Sequence, residues 1–131
     1  MILNDEIELL ATQVIDCAFK THVDLGPGLM ESAYEAVLEH RLRRNNLGVE
    51  RQKPIAVSVD GLTLPDAFKA DLLVEGRLLL ELKSVEKLTN LHAMQTLTYL
   101  RLTNLPLGLL LNFNTELFKH GIKRIMNNHA R

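Results

Sequence analysis

The sequence predicts an α/β fold in which helices flank a small sheet. Three observations lead there. Apolar residues recur at helical spacing before Val49, the period drops toward two from Val49 to Val85, and helical spacing returns ahead of the apolar run "LPLGLLLNF" at 105–113.

A first helix is expected over residues 4–23, where Ile7, Leu10, Ala11, Val14, Ile15, Ala18 and Phe19 share a face and Asn4 or Asp5 can cap it. "DLGPG" at 24–28 breaks the chain, because Gly tolerates positive φ and Pro27 cannot continue a helix. A second helix follows from about Leu29 to Asn46, with Ala33, Val37, Leu38 and Leu42 inward, and "NNLG" ends it. "VERQKPIAVSVDG" then alternates through Ile55, Val57 and Val59 into a hairpin signal at Asp60-Gly61. "LTLPDAFKADLLV" and "RLLLELKSV" read as the second and third strands. A helix is expected in "EKLTNLHAMQTLTYLRLTN" on the spacing of Leu91, Met94, Leu97, Leu100 and Leu102. "LPLGLLLNF" reads as a strand covered on both faces. Residues 115–131 leave two options open, a short helix or an edge strand at "GIKRIM".

With 131 residues, 47 % of them hydrophobic, a single domain over 1–131 is expected. Lys and Arg number 15 against 16 Asp and Glu, so a net charge of -1 gives no global attraction for a polyanion. Any such site must be local. Arg41, Arg43, Arg44, Arg51 and Lys53 form one basic group, and Lys119, Lys123, Arg124 and Arg131 another. The single cysteine, Cys17, rules out an internal disulfide and suits a reducing compartment. No signal-peptide pattern or membrane-length apolar run is present, so a cytoplasmic protein without a membrane partner is expected. Two Tyr, four Phe and no Trp do not favour a base-stacking platform for single strands. No His/Cys cluster has zinc spacing, and "GPG" does not match a phosphate-cradling loop.

The charged residues inside "ADLLVEGRLLLELKSV" at 70–85 require a reason, since charge is costly on a strand that is nearly all leucine. Glu81 and Lys83 leave the same face of their strand because they are two apart. The position of Asp71 depends on the loop. A two-residue turn at Glu75-Gly76 would pair it with Leu80 and send it to the other face; a three-residue loop, Val74 to Gly76, would pair it with Leu79 and put it on the face of Glu81 and Lys83. Two converging carboxylates offer hard oxygen ligands for Mg²⁺. A neighbouring lysine can meet charge that develops on a phosphate. In isolation, Glu81-x-Lys83 reads more readily as a salt-bridged pair on a solvated strand.

Other residues give that pair company. Glu31, Tyr34 and Glu35 share one face of the second helix, although Glu31 also suits the helix dipole and Ser32-x-x-Glu35 a capping box. Gln95 and Tyr99 lie one turn apart on the helix after the Glu81 strand, with His92 a turn earlier, where a surface or cap role is the plainer reading.

The string Gly28-x-x-Glu31-x-x-Tyr34, followed in order by "ADLLVEG", "ELKSV", "QTLTYL" and "GLLLNF", resembles the GxxExxY family of the PD-(D/E)XK nuclease superfamily from about residue 5 to 126. The resemblance implies a restriction-endonuclease-like core with a mixed four-stranded sheet flanked by helices. It implies Mg²⁺ or Mn²⁺ as cofactor, with Asp71 and Glu81 as metal carboxylates, Lys83 as catalytic lysine and Glu31 as an assisting acid. Gln95 and Tyr99 look like the Q-x-x-x-Y element of RecB-like nucleases, and Tyr34 joins them as an expected substrate contact. The departure is that Asp71 follows Ala70, whereas a literal Pro-Asp stands at Pro65-Asp66. Asp71 is preferred on its register with Glu81. The implied partner is nucleic acid, DNA before RNA, together with a homo-oligomer or partner protein that supplies specificity to so small a chain. The rival expectation is a nuclease-like binding or scaffold protein without turnover.

Overall fold

A computed structural model describes residues 4–130, so Arg131 of the second basic group lies outside the described part. Helix α1 spans Asp5–Leu25, and the Asn4 side chain caps it by accepting the Ile7 N–H at 2.9 Å. Ile7, Leu10, Ala11, Val14 and Ala18 are buried as their spacing requires, but Phe19 at the edge of that stripe is 50 % exposed. Helix α2 spans Glu31–Arg44. It begins at Glu31, which places Ser32 inside the helix, and the capping box expected at Ser32-x-x-Glu35 does not form. Strands β1 (Val49–Val59) and β2 (Leu62–Val74) are joined through Asp60 and Gly61, both at positive φ as a two-residue hairpin turn demands. Strand β3 covers Leu78–Lys83, helix α3 Asn90–Thr103 and strand β4 Leu107–Asn112. A 3₁₀ turn at Phe118–Gly121 leads into β5, Ile122–Met126, which settles the tail as an edge strand.

Among the described residues the sheet therefore has five strands, not four, in the order β1-β2-β3-β4-β5. Only β3 and β4 run parallel, with α3 as their crossover. Helices α1 and α2 cover one face, packing Val14, Tyr34, Leu38 and Leu42 onto Leu72, Leu80, Leu82 and Leu109. Helix α3 covers the other, where Leu100 meets Leu79, Leu110 and Ile125. β4 is buried along its whole length, as its unbroken apolar run requires.

The face α3 turns inward keeps Leu97 and Leu100 of the expected leucine stripe and loses the rest. Leu91, Met94 and Leu102 are exposed, while Thr96 and Leu100 are buried. The reason lies under the helix, at Gly108: a Cβ there would stand 3.1 Å from Thr96 Cγ2 and 3.3 Å from Leu100 Cδ2, so the missing side chain lets the small Thr96 settle on β4. A tighter approach occurs at Gly121, where a Cβ would fall 2.1 Å from the Asn112 carbonyl oxygen. Gly121→Ala is therefore expected to lower stability by about 3 kcal/mol in urea denaturation. An unchanged midpoint would refute that contact.

Pairing of β2 with β3 runs only from Leu72–Leu80 to Val74–Leu78. The rest of the β1–β2 hairpin extends beyond β3 as a two-stranded arm, with Val59, Leu62 and Leu64 exposed near its tip. Among the described residues, no helix is long and apolar enough to cross a membrane.

Candidate active site

The β2–β3 hairpin decides where its charges go. The loop is three residues, Glu75 to Arg77, with Glu75 at φ 55° and Gly76 at φ 63°, and the Arg77 N–H donates to the Val74 carbonyl at 3.0 Å. Two successive left-handed residues make this a type I′-like turn, which matches the twist of the strands. The register has the face parity of the three-residue alternative, but it is displaced along the strands: Leu73, not Asp71, pairs with Leu79. One step beyond Leu72–Leu80, Asp71 comes opposite Glu81. The ladder stops at this point, and Asp71 Oδ2 takes over by accepting the Leu82 N–H at 2.8 Å.

Glu81 is 5 % exposed, and its Oε1 is buried without a hydrogen-bond partner. Burial, then the charge of Asp71 and a hydrogen bond to its side chain, push the Glu81 carboxyl up to about 9, against the opposing pull of Lys83. At neutral pH the pair therefore holds a proton. Lys83, partly buried, follows on the same face. Its backbone is fixed by the Phe113 N–H, which donates to the Lys83 carbonyl at 2.9 Å. The next segment is held by buried Asn112, whose amide donates to the Val85 carbonyl at 2.8 Å and accepts the Val85 N–H at 3.1 Å.

Helix α3 brings Tyr99 and Gln95 to the same place. Burial first, and then the negative charges of Glu81 and Asp71, raise the Tyr99 hydroxyl above its usual 10, while a hydrogen bond from Gln95 acts the other way. The Tyr99 ring stacks on Phe68 of the arm, with centroids 3.9 Å apart and planes within 3°. His92 is occupied elsewhere: its ring accepts the Thr89 N–H at 3.1 Å and its backbone N–H donates to Thr89 Oγ1 at 3.3 Å, a capping box that starts α3.

The remaining expected site residues stand apart. Glu31 is exposed in the first turn of α2 and lines an open groove with Gly28, Ser32, Ser84 and Asn114. Tyr34, expected at the substrate, is fully buried and stacked on Phe113 at 4.6 Å. Its hydroxyl donates to the Gly26 carbonyl at 2.7 Å and accepts the Leu29 N–H at 3.0 Å, so it clamps the "DLGPG" loop and has no free face for a ligand. Asp66 is exposed in the irregular part of β2, between the Phe68 and Leu64 pairings, away from the β3 ladder.

Glu35, expected on the face of Glu31 and Tyr34, and Gln52, which carries no signal in the sequence, join the network around Asp71. Glu35, 4 % exposed, accepts from Arg51 Nε at 2.8 Å. Gln52 Nε2 bridges it to Asp71, donating to Glu35 Oε1 at 2.9 Å and Oε2 at 3.1 Å and to Asp71 Oδ1 at 3.3 Å. Gln52 does so with φ at 50° inside a strand, a conformation that costs a non-glycine residue about 1–3 kcal/mol. The helical phase of Glu35 was legible; the backbone twist that brings Gln52 to it has no signature in the sequence.

The model of the PD-(D/E)XK nuclease superfamily matches residues 8–125. The chain belongs to that superfamily. No curated protein and no solved structure gives a significant match. Membership supports a nuclease-like function and an interaction with nucleic acid, and PD-(D/E)XK nucleases generally use divalent metals. In this PD-(D/E)XK chain the paired carboxylates and the unpartnered buried Glu81 oxygen fit a hard divalent cation. Among the described residues no cluster of three or more His, Cys, Asp or Glu side chains is placed to hold a metal by itself. Two carboxylates suit Mg²⁺, which usually keeps waters and binds substrate phosphate as well.

Proposed function

We propose that this chain, as one GxxExxY-type unit, hydrolyses phosphodiester bonds in nucleic acid, DNA first, with Asp71 and Glu81 holding Mg²⁺ or Mn²⁺. The observation that supports this most strongly is the Asp71–Glu81 pair at the point where β2 and β3 part, with one Glu81 oxygen buried and unpartnered. The chemistry such an ion supplies is neutralisation of phosphate charge and acidification of a water molecule. Lys83 presents a cation to the charge that develops on the attacked phosphoryl group. Tyr99, its hydroxyl held protonated by its surroundings, donates a hydrogen bond to a phosphate oxygen, and exposed Gln95 donates beside it. Glu31 lines the same open groove as Ser84, the residue after Lys83, and orders water there.

The basic groups contribute less than their number suggests. Arg41 is paired with Asp24, Arg43 with Glu39, Arg51 with Glu35, Lys53 with Glu50 and Arg124 with Glu8. Specificity therefore depends on a second copy or a partner protein more than on a wide basic surface.

The test is metal-dependent cleavage. Supercoiled, linear and single-stranded DNA and RNA are incubated with the protein in Mg²⁺, in Mn²⁺ and in EDTA. Cleavage in either metal, none in EDTA and none with Asp71→Ala is the expected result. Metal binding without cleavage of any substrate would replace this reading with that of a nuclease-like binding protein.

A further inference from the structure

Gln52 is the one residue in the interior of β1 with positive φ, and no turn requires it there. The backbone distortion has a visible product: it carries the carboxamide to a point where it donates to Asp71 Oδ1 and to both oxygens of Glu35. Asp71 is thereby held at both oxygens, by Gln52 at Oδ1 and by the Leu82 N–H at Oδ2. Glu35 is a firm anchor for that grip, since it is buried, sits on α2 and is ion-paired with Arg51.

We propose that Gln52 is a positioning residue that fixes the Asp71 carboxylate for the metal by tying it to the Glu35–Arg51 pair. The inference rests on the reading of Asp71 as a metal ligand. Strain of the kind seen at Gln52 persists where surrounding contacts over-determine it and clusters at functional sites. Partners that orient a metal ligand tune affinity although they do not touch the ion. A purely structural Gln52, present only to satisfy the buried Glu35 carboxylate, would instead influence stability alone.

Gln52→Ala and Gln52→Gly separate the two roles. Both remove the carboxamide, but Gly adopts positive φ freely and Ala does not. Mn²⁺ is titrated into the wild-type protein, both variants and Asp71→Ala, free Mn²⁺ is followed by electron paramagnetic resonance, and thermal unfolding is recorded for each. The expected result is that Gln52→Gly melts above Gln52→Ala, while both bind Mn²⁺ about 10–100-fold more weakly than wild type and Asp71→Ala does not bind. Wild-type Mn²⁺ affinity in folded Gln52 variants, with binding still lost in Asp71→Ala, would overturn the role of Gln52 and leave the metal site standing. No binding by the wild-type protein would overturn both. Failure of both Gln52 variants to fold would assign the residue to the fold and also overturn the proposal.

Discussion

Lys83→Ala is expected to cut metal-dependent DNA cleavage by about 10²–10³-fold while leaving the protein folded and its Mn²⁺ affinity within a few-fold of wild type. The split follows from placement. Lys83 lies on the same face as Glu81 but two residues on, and its backbone is held by the Phe113 N–H rather than by its ammonium group. Loss of the side chain thus removes a cation from the site without releasing the strand. It also removes one of the influences that oppose protonation of Glu81. Single-turnover cleavage alongside metal binding makes the check. Equal rates for Lys83→Ala and wild type would remove the lysine from the chemistry, and joint loss of rate and folding would make it a structural residue.

The second large effect is a dependence of stability and metal affinity on pH, centred on Glu81. Its carboxyl is raised from 4.5 to about 9 in the folded chain. For an acid with a raised folded pKa, the fold binds the proton more tightly than the unfolded chain does. Glu81 therefore contributes most stability at low pH, and the contribution declines as pH climbs from about 4.5 toward 9, by up to about 1.4 kcal/mol per pH unit. Glu81→Gln keeps the shape and stays neutral, so it is expected to be about 2–4 kcal/mol more stable than wild type at pH 8 and equal to it near pH 4. Urea denaturation of the two proteins across that range isolates the one group. Metal affinity should move in the opposite sense, since a ligating carboxylate must first release its proton, and should rise toward tenfold per pH unit up to about 9. Parallel stability curves for wild type and Glu81→Gln would refute the buried proton.

Much of the fold was legible because it depends on local periodicity. The Ile7-to-Ala18 stripe, the Asp60-Gly61 turn and the buried run of β4 each follow from spacing or from turn chemistry within a few residues. Placement of Glu81 and Lys83 on one face needed only the two-residue period of a strand. Features governed by long-range contact were not legible. The β2–β3 pairing differed from the expected register because parity fixes the face but not the partner, and the loop closed on Val74 and Leu78. The inward face of α3 was chosen by Gly108, a residue on another element, against a helix whose leucines point in several directions. Tyr34 sat in the expected motif, yet its hydroxyl was claimed by a loop eight residues away. Gln52 lay in an ordinary polar stretch, and only its positive φ and its contact with Asp71 set it apart.

The two carboxylates of the site stand on strands of unequal stiffness. Glu81 belongs to β3, which is bonded on both sides, to β2 over Leu78–Leu80 and to β4 along its whole length. Asp71 belongs to the base of the β1–β2 arm, just past the last residue that pairs with β3. Because Asp71 is tied to β3 by the Leu82 N–H and to Glu35 through Gln52, a swing of the arm would hinge beyond Asp71 and leave the spacing of the pair unchanged. In amide hydrogen exchange Leu80 and Leu82 are expected to exchange through global unfolding and the arm around Phe68 through local opening. The compliance of the hairpin then lies outside the carboxylate pair.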